Sequence, residues 1–362
     1  MKFVDVNPFF YPYKGGIEHR MHDTASLLAQ RGHDVTIVTS RLPDTVKEEI
    51  TPEGYRIIRL ESKFINLYNP PFVSSKGILD TLESLDADVV NYNYRWAPSY
   101  NKDLARYDGP KVFTYHNMWG EGVGLQGKVS EVNDNSFAKK TLSTFDHIIC
   151  VSKFVQDDLV RRGIPADMTS FIPSCLSSVP VPSNKPEGDF ILSLGRQVAT
   201  KGLKYLVEAM QDVDCKLIMC GKGPEQSKLV KQITKLGLED RIEMKGYVSE
   251  EEKMELMDTC KFFVMPSEFE SLGLAAIELM SHGRPIICSD ADGLPETVGD
   301  AGVVVPKKDS KALAKAVNDL LFDPDRRAEL GSKAVQRTLF YSWDYHIDAL
   351  EGILQKVASG RN

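Results

Sequence analysis

The sequence predicts an α/β protein made of two doubly wound domains in series, closed by a terminal helix. Three observations carry this. The chain has 362 residues, more than one hydrophobic core usually supports, since chains split into domains beyond about 250–300 residues. Short apolar runs alternate with amphipathic stretches almost from end to end, and strand, helix, strand repeated in this way implies parallel sheets covered on both faces. The alternation breaks once, across residues 173–188, where Pro173, Pro180, Pro182, Pro186 and several serines remove any periodicity. That stretch reads as a linker, giving expected domains at 1–175 and 176–340 and a terminal segment at 341–362.

In the first domain the expected strands are Lys2–Val6, Asp34–Thr39, Tyr55–Arg59, Asp88–Asn91, Lys111–Tyr115, His147–Val151 and Thr169–Ile172. Ile17–Gln30 carries Met21, Ala25, Leu28 and Ala29 on one side, and Lys153–Arg162 carries Phe154, Val155 and Leu159, both at helical spacing. After the linker the alternation restarts with Asp189–Leu194 and continues through Leu203–Met210, Cys215–Cys220, Pro224–Leu236, Arg241–Glu243, Ser249–Asp258, Phe262–Met265, Gly273–His282, Pro285–Cys288 and Gly302–Val305. Helices run from there to the end. The last, Trp343–Val357, aligns Trp343, Ile347, Leu350, Ile353, Leu354 and Val357 on one stripe. In doubly wound sheets ligands bind at the carboxyl ends of the strands, so the chemistry is expected there.

Composition narrows the function. The net charge is −7, and neither half of the chain is a polycation, which removes weight from nucleic-acid binding. The longest apolar runs fall far short of the roughly 20 residues needed to span a bilayer. Met1–Val6 runs directly into a strand, so neither a span nor a secretory leader is expected. Six cysteines include no C-x-x-C pair and sit mostly in apolar runs, as reduced core residues of a cytoplasmic protein would.

Several motifs stand at strand ends. Tyr13-Lys14-Gly15-Gly16 follows the first strand and opens a helix, where glycine allows close backbone approach and free amides suit an anion; a plain tight turn is the alternative. Gly122-x-Gly124-x-x-Gly127 has the letters of a dinucleotide fingerprint but lacks the strand–turn–helix context, so a mobile loop is expected there. Leu194-Gly195-Arg196 ends a strand and Lys201-Gly202 begins the next helix, placing two cations at one junction suited to a diphosphate. Glu270 and Glu278 stand eight positions apart; with Glu270 at a helix start, Glu278 would lie two turns down the same side. A carboxylate flanked by Ala275, Ala276, Ile277, Leu279 and Met280 needs a hydrogen-bonding partner.

With Cys220–Pro224 (Gly-x-Gly-Pro), Gly246-Tyr247-Val248, Gly293-Leu294-Pro295-Glu296 and Tyr341-Ser342-Trp343, this ordered series resembles the retaining GT-B glycosyltransferases of family 4 over nearly the whole chain. The resemblance implies two Rossmann-like domains facing a central cleft, with the last helix crossing back onto the first domain. It also implies roles. Arg196 and Lys201 would hold the donor diphosphate, Glu278 the ribose hydroxyls, and Glu270 the hydroxyls of the transferred sugar. Leu272, Gly273 and Leu274 would offer amides to the distal phosphate, Gly16 would approach it from the other domain, Val248 would meet the base, and His116 matches the family's active-site histidine. At the domain junction Ile172-Pro173-Ser174-Cys175-Leu176 stands where the family often has Asn-Gly after Ile-Pro.

The activity so implied is transfer of a hexose or N-acetylhexosamine from a UDP- or GDP-sugar to a hydroxyl on a sugar, lipid-linked or other acceptor, with retention. No separate cofactor is expected. No metal is expected either, the cations supplying the charge; Asp290-Ala291-Asp292 reads as loop acid. Aromatic residues of the first domain (Phe64, Tyr68, Phe72, Tyr92, Tyr94, Trp96, Tyr100 and Trp119) could stack on an acceptor or form core. Lys139, Lys140, Lys153, Arg161 and Arg162 could form a basic patch for peripheral contact at the cytoplasmic membrane face, or a solvated helix face. Other GT-B enzymes, including a nucleotide-sugar epimerase or a phosphorylase, and a non-catalytic nucleotide-sugar-binding protein are the competing readings.

Overall fold

A computed structural model describes residues 1–65, 71–178, 182 and 184–360. Tyr68 and Pro180 of the readings above lie outside these residues. Two compact units emerge: Met1–Glu121 with Leu125–Ser177 and Trp343–Asn362, and Gly122–Gly124 with Ser178–Ser342.

The first unit is built on a sheet of β1 (Lys2–Val6), β2 (Asp34–Ser40), β3 (Glu48–Ile50), β4 (Arg56–Leu60), β7 (Val89–Tyr92), β8 (Lys111–Tyr115), β9 (His147–Cys150) and β10 (Thr169–Phe171). Its order is β10-β9-β8-β7-β1-β2-β4-β3, and all pairs are parallel except β3 with β4. A separate antiparallel hairpin joins β5 (Ser62–Ile65) to β6 (Phe72–Ser75). Alternation along β1 sends Phe3 to one apolar layer and Val4 and Val6 to the other, so both faces are covered. β3, the hairpin, and helices Ile78–Leu85 and Pro98–Arg106 were not foreseen; all are short, although Ile78, Leu82 and Leu85 stand at helical spacing in the first helix, and Tyr100 and Leu104 in the second.

One face is covered by helices Gly16–Gln30 and Trp343–Ser359. Met21, Ala25 and Leu28 of the former share a core with Trp343, Ile347, Leu350 and Leu354 of the latter. The terminal helix thus packs on the first unit. Trp343 donates its indole N–H to Asp23 at 3.2 Å, and Arg31 binds Asp348 and Glu351 at 2.6 and 2.7 Å. The exposed ion pairs add at most about 1 kcal/mol each, whereas burying a leucine adds about 1.5–3 kcal/mol; the apolar stripe therefore holds the helix down.

The expected loop around Gly122–Gly127 is a correction. Leu125–Lys140 is a helix with Gly127 inside it. Its apolar periodicity is weak because it is anchored by a buried charge pair instead. Arg95 donates to Asp134 at 2.5 and 3.3 Å and to the Met118 carbonyl at 2.8 Å, while Asp134 also accepts from the Gly120 amide.

The second unit holds β11 (Phe190–Leu194), β12 (Lys216–Cys220), β13 (Ile242–Gly246), β14 (Phe263–Met265), β15 (Ile286–Ser289) and β16 (Gly302–Val305). The order β13-β12-β11-β14-β15-β16, all parallel, is the 3-2-1-4-5-6 arrangement of a doubly wound nucleotide-binding sheet. Strand order reverses at β11 and β14 here, and at β1 and β7 in the first unit. Those are the places where the carboxyl ends leave a crevice for a ligand.

Leu354→Ala is expected to destabilise the first unit by about 2–5 kcal/mol, and removal of residues 342–362 by more, read from urea unfolding. An unchanged profile for both would show that the terminal helix contributes nothing to this core.

Candidate active site

At the β11/β14 switch point the chain leaves β11 through Gly195 and Arg196, turns through Ala199–Lys201, and enters helix Leu203–Ala209. A pocket of about 320 Å³ opens there, lined by Arg196, Gln197 and Lys201 from the first crossover and by Pro266 and Ser267 after β14. Lys201 donates to a Glu270 carboxylate oxygen, and both are largely buried; Arg196 is exposed. Tight backbone contact sets the pocket's shape. Gly202 has φ 62°, and a Cβ on it would stand 2.0 Å from the Pro266 carbonyl oxygen. Only glycine tolerates both that dihedral and that approach.

Glu270 does not begin a helix, contrary to expectation. It lies in the turn before helix Leu274–Met280, whose N-cap is Gly273 at φ 88°. Its backbone is held by the Asp290–Gly293 loop: Asp292 accepts from the Glu270 amide at 3.2 Å, and the Gly293 amide donates to the Glu270 carbonyl at 2.9 Å. Asp290 accepts from the Lys307 amide at 2.7 Å. These two acids brace the loop, and no cluster of three potential metal-ligating side chains exists among the described residues.

Glu278 does lie on the helix, and its partner is Lys253 at 2.7 Å; Lys253 also binds Glu250 at 2.8 Å. The two glutamates therefore answer to two different lysines. Leu272 is buried, and Leu274 opens the helix. Val248 falls beyond the end of β13, just before the Ser249 N-cap, and is not strand core.

The sequence reading missed Glu268. It is almost completely buried, 3.2 Å from Lys204 and 3.1 Å from Lys308. Burial alone would raise its carboxyl; the Lys308 and Lys204 ammoniums outweigh that and hold it below the usual value. No local pattern marked it: at Glu-x-Glu spacing, alternation would put Glu268 and Glu270 on the same face, and only the irregular chain after β14 separates them. Gln197 was missed as well: it is fully buried, with both amide atoms lacking a protein partner.

In the first unit, alternation places a polar row above the apolar layer on one sheet face. Register aligns Asp5 with Asn91 and Asn91 with Val112. Asp5 accepts from Asn91 Nδ2 at 2.9 Å and from Asn93 Nδ2 at 2.6 Å, and Asn91 accepts from the Thr114 hydroxyl at 2.9 Å. His116, one residue past β8, pairs through Nε2 with Asn93 Oδ1 at 3.0 Å. Burial, then the Arg20 and Arg95 charges, pull the His116 imidazole well below its ordinary value, so the ring is neutral at pH 7. Burial pushes the Asp5 carboxyl up to about 7, against the Asn93, Asn91 and Arg20 interactions that favour the anion. Gly16 is the first residue of its helix.

Other candidates sort by burial. Tyr92 and Tyr100 are core, their hydroxyls bonded to Asn101 and to Ser40 and Ser75, so they cannot stack on a ligand. Phe64 and Tyr94 pack on Phe9, and Trp119 stacks on Tyr115. Phe72 is exposed and Trp96 half-buried. The basic patch is only partly offset: Lys153 pairs with Asp157, and Arg161 and Arg162 share Asp158, while Lys139 and Lys140 are exposed. All six cysteines are free thiols, five of them buried.

The raised Asp5 pKa fixes a sign. The folded state binds a proton that the unfolded state releases between about pH 4 and 7, so the associated stability is present at acid pH and lost as pH rises through about 7. Asp5→Asn, neutral throughout, is expected to gain stability over wild type as pH rises from 4 to 8 in parallel urea titrations. A constant difference would contradict the burial of an ionisable carboxyl.

Known proteins resemble this chain in sequence and in fold. The family described as Glycosyltransferase Family 4 matches residues 14–176, and that described as Glycosyl transferases group 1 matches residues 179–337. The alpha-D-kanosaminyltransferase of Streptomyces kanamyceticus is 32% identical over 175 residues, which are 46% of this chain and 45% of that protein. The phosphatidyl-myo-inositol mannosyltransferase of Mycobacterium leprae is 26% identical over 99% of this chain and 98% of its own. Among solved structures, the sucrose-phosphate synthase of Thermosynechococcus elongatus superposes with a TM-score of 0.81 at 21% identity, covering 99% of this chain and 100% of that one. Two family matches that abut at the junction between the units, on sheets of this topology, establish that the chain belongs to glycosyltransferase family 4 and is a GT-B glycosyltransferase.

Proposed function

We propose that the chain transfers a hexose or N-acetylhexosamine from a UDP- or GDP-sugar to a hydroxyl acceptor with retention of anomeric configuration. The reading rests on one observation: Arg196 and Lys201 stand at a single pocket at the β11/β14 switch point, with Glu270 bound to the lysine. As the diphosphate leaves, negative charge grows on its bridging oxygen while the sugar becomes cationic. Cations and amides fixed at that position stabilise the transition state more than the ground state.

In this reading the Lys201 ammonium gives up part of its contact with Glu270 to a phosphate oxygen, leaving a carboxylate oxygen to accept from a sugar hydroxyl. The amides of Leu272, Gly273 and Leu274 and of Gly16 face phosphate oxygens. Glu278 accepts from the ribose hydroxyls, exchanging its bond to Lys253, and Val248 meets the base through its backbone. His116 is neutral and hydrogen-bonds the donor sugar. The departing phosphate takes the acceptor proton, so no acid/base pair is required, and the two cations do the work of a metal.

The acceptor side belongs to the first unit. Phosphatidylinositol appears in the names of several relatives, which favours a lipid-linked or sugar hydroxyl and peripheral contact at the cytoplasmic membrane face. Leu125, Val129 and Val132 are 77%, 56% and 70% exposed along one side of helix Leu125–Lys140, a stripe suited to a lipid surface. No helix among the described residues is long and apolar enough to cross a membrane.

Arg196→Ala and Lys201→Ala are each expected to lower kcat by roughly 10²–10³, the loss typical of one transition-state donor, with activity surviving EDTA. Thermal shift with UDP, GDP and their sugars reads the donor, since binding stabilises by RT ln(1 + [L]/Kd). Near-wild-type turnover in both variants, or no shift with any nucleotide, removes the reading. Val129→Glu is expected to reduce sedimentation with vesicles containing anionic lipid, leaving kcat on a short soluble acceptor intact; equal sedimentation removes the membrane contact.

A further inference from the structure

We infer that Asp5 is a positioning residue for the glycosyl transfer: acting through Asn93, it fixes His116 as the tautomer that carries its proton on Nε2 and its lone pair on Nδ1. This rests on the proposed role of His116 beside the donor sugar, and extends it to the state in which the ring acts.

An asparagine amide can sit in two orientations, and its neighbours decide which. Asn93 Nδ2 lies 2.6 Å from Asp5 Oδ1 and 3.2 Å from the Val6 carbonyl oxygen. The Val6 carbonyl can only accept, so the NH2 group must face it, and the same group then meets Asp5 Oδ1. The oxygen then points the other way, where Asn91 Nδ2 donates to it at 3.3 Å. Asn91 is itself oriented, because its oxygen accepts from the Thr114 hydroxyl and its NH2 donates to Asp5. Asn93 Oδ1 therefore meets His116 Nε2 at 3.0 Å strictly as an acceptor. A neutral imidazole facing an acceptor must place its proton there, leaving Nδ1 as the ring's accepting nitrogen.

The acidic anchor sits where a carboxylate is costly. Asp5 is fully enclosed at the β1/β7 switch point, where it lines a small pocket with Arg20, Asn91, Asn93 and Thr114. Arg20 donates to the Pro173 carbonyl and leaves Nη2 buried without a protein partner. Buried acids and amides of this kind destabilise the fold unless every group is satisfied. A chain of contacts that ends on an active-site imidazole gives them a purpose. An accepting Nδ1 recognises a sugar hydroxyl as donor, which an imidazolium or the other tautomer would not.

The test uses the intact protein labelled with 15N-histidine, the His116 signals being assigned by their absence in His116→Gln. Wild type is expected to show a protonated Nε2 and an unprotonated Nδ1 at pH 7. Asp5→Leu, which removes the acceptor, is expected to lose this pattern and to lower kcat/KM by about 10- to 100-fold, the range for losing a group that orients a functional imidazole. Asp5→Asn, which keeps an acceptor oxygen, is expected to restore both. A protonated Nδ1 in wild type overturns the proposal, as does an unchanged pattern in folded Asp5→Leu. Turnover unchanged in His116→Ala would instead sink the placement of His116 at the sugar, and with it the catalytic meaning of the tautomer, while the spectra would still report the hydrogen-bond chain.

Discussion

Apart from the edge strand β3, both large sheets are parallel and covered on both faces, and this one constraint governs where polar groups can gather. Along each strand the side chains enter apolar layers, so polar groups have room only where strands end, and two neighbouring ends diverge only at a switch point. The second unit uses its switch point for Arg196, Lys201 and Glu270. The first uses its own for Asp5, Asn93 and His116.

Charge is handled differently at the two places. In the second unit, mobile ammonium groups are held by carboxylates, Lys201 by Glu270 and Lys253 by Glu278 and Glu250. Glu268, buried between Lys204 and Lys308, anchors the same turn from behind. In the first unit the network is neutral amides around one acid, rigid and enclosed, which suits orientation of a ring more than neutralisation of a phosphate.

The terminal helix completes the core of the first unit and lines its switch point. Leu350 and Leu354 wall the cavity beside Asp5 and Arg20, and Trp343 bonds Asp23 on the same helix that Gly16 opens. The last helix of the chain thus closes the floor beneath the polar row.

The alternation of strands and helices, the break across residues 173–188, the apolar stripe of the last helix and the residue types at the β11 and β14 ends were legible in the sequence, because period and glycine placement are local properties of the chain. The family series could be read for the same reason, its motifs being contiguous. Tertiary structure alone decided which charges meet. Spacing put Glu270 and Glu278 on one helix, but Gly273 at positive φ starts that helix late and sends them to separate lysines. Helix Leu125–Lys140 was hidden because its anchor, Arg95, lies 39 positions away from Asp134. Asp5, Asn93 and His116 are likewise joined across three strands. Hydrogen bonds between residues so far apart in the chain leave no periodic trace, and only the register of the sheet brings them together.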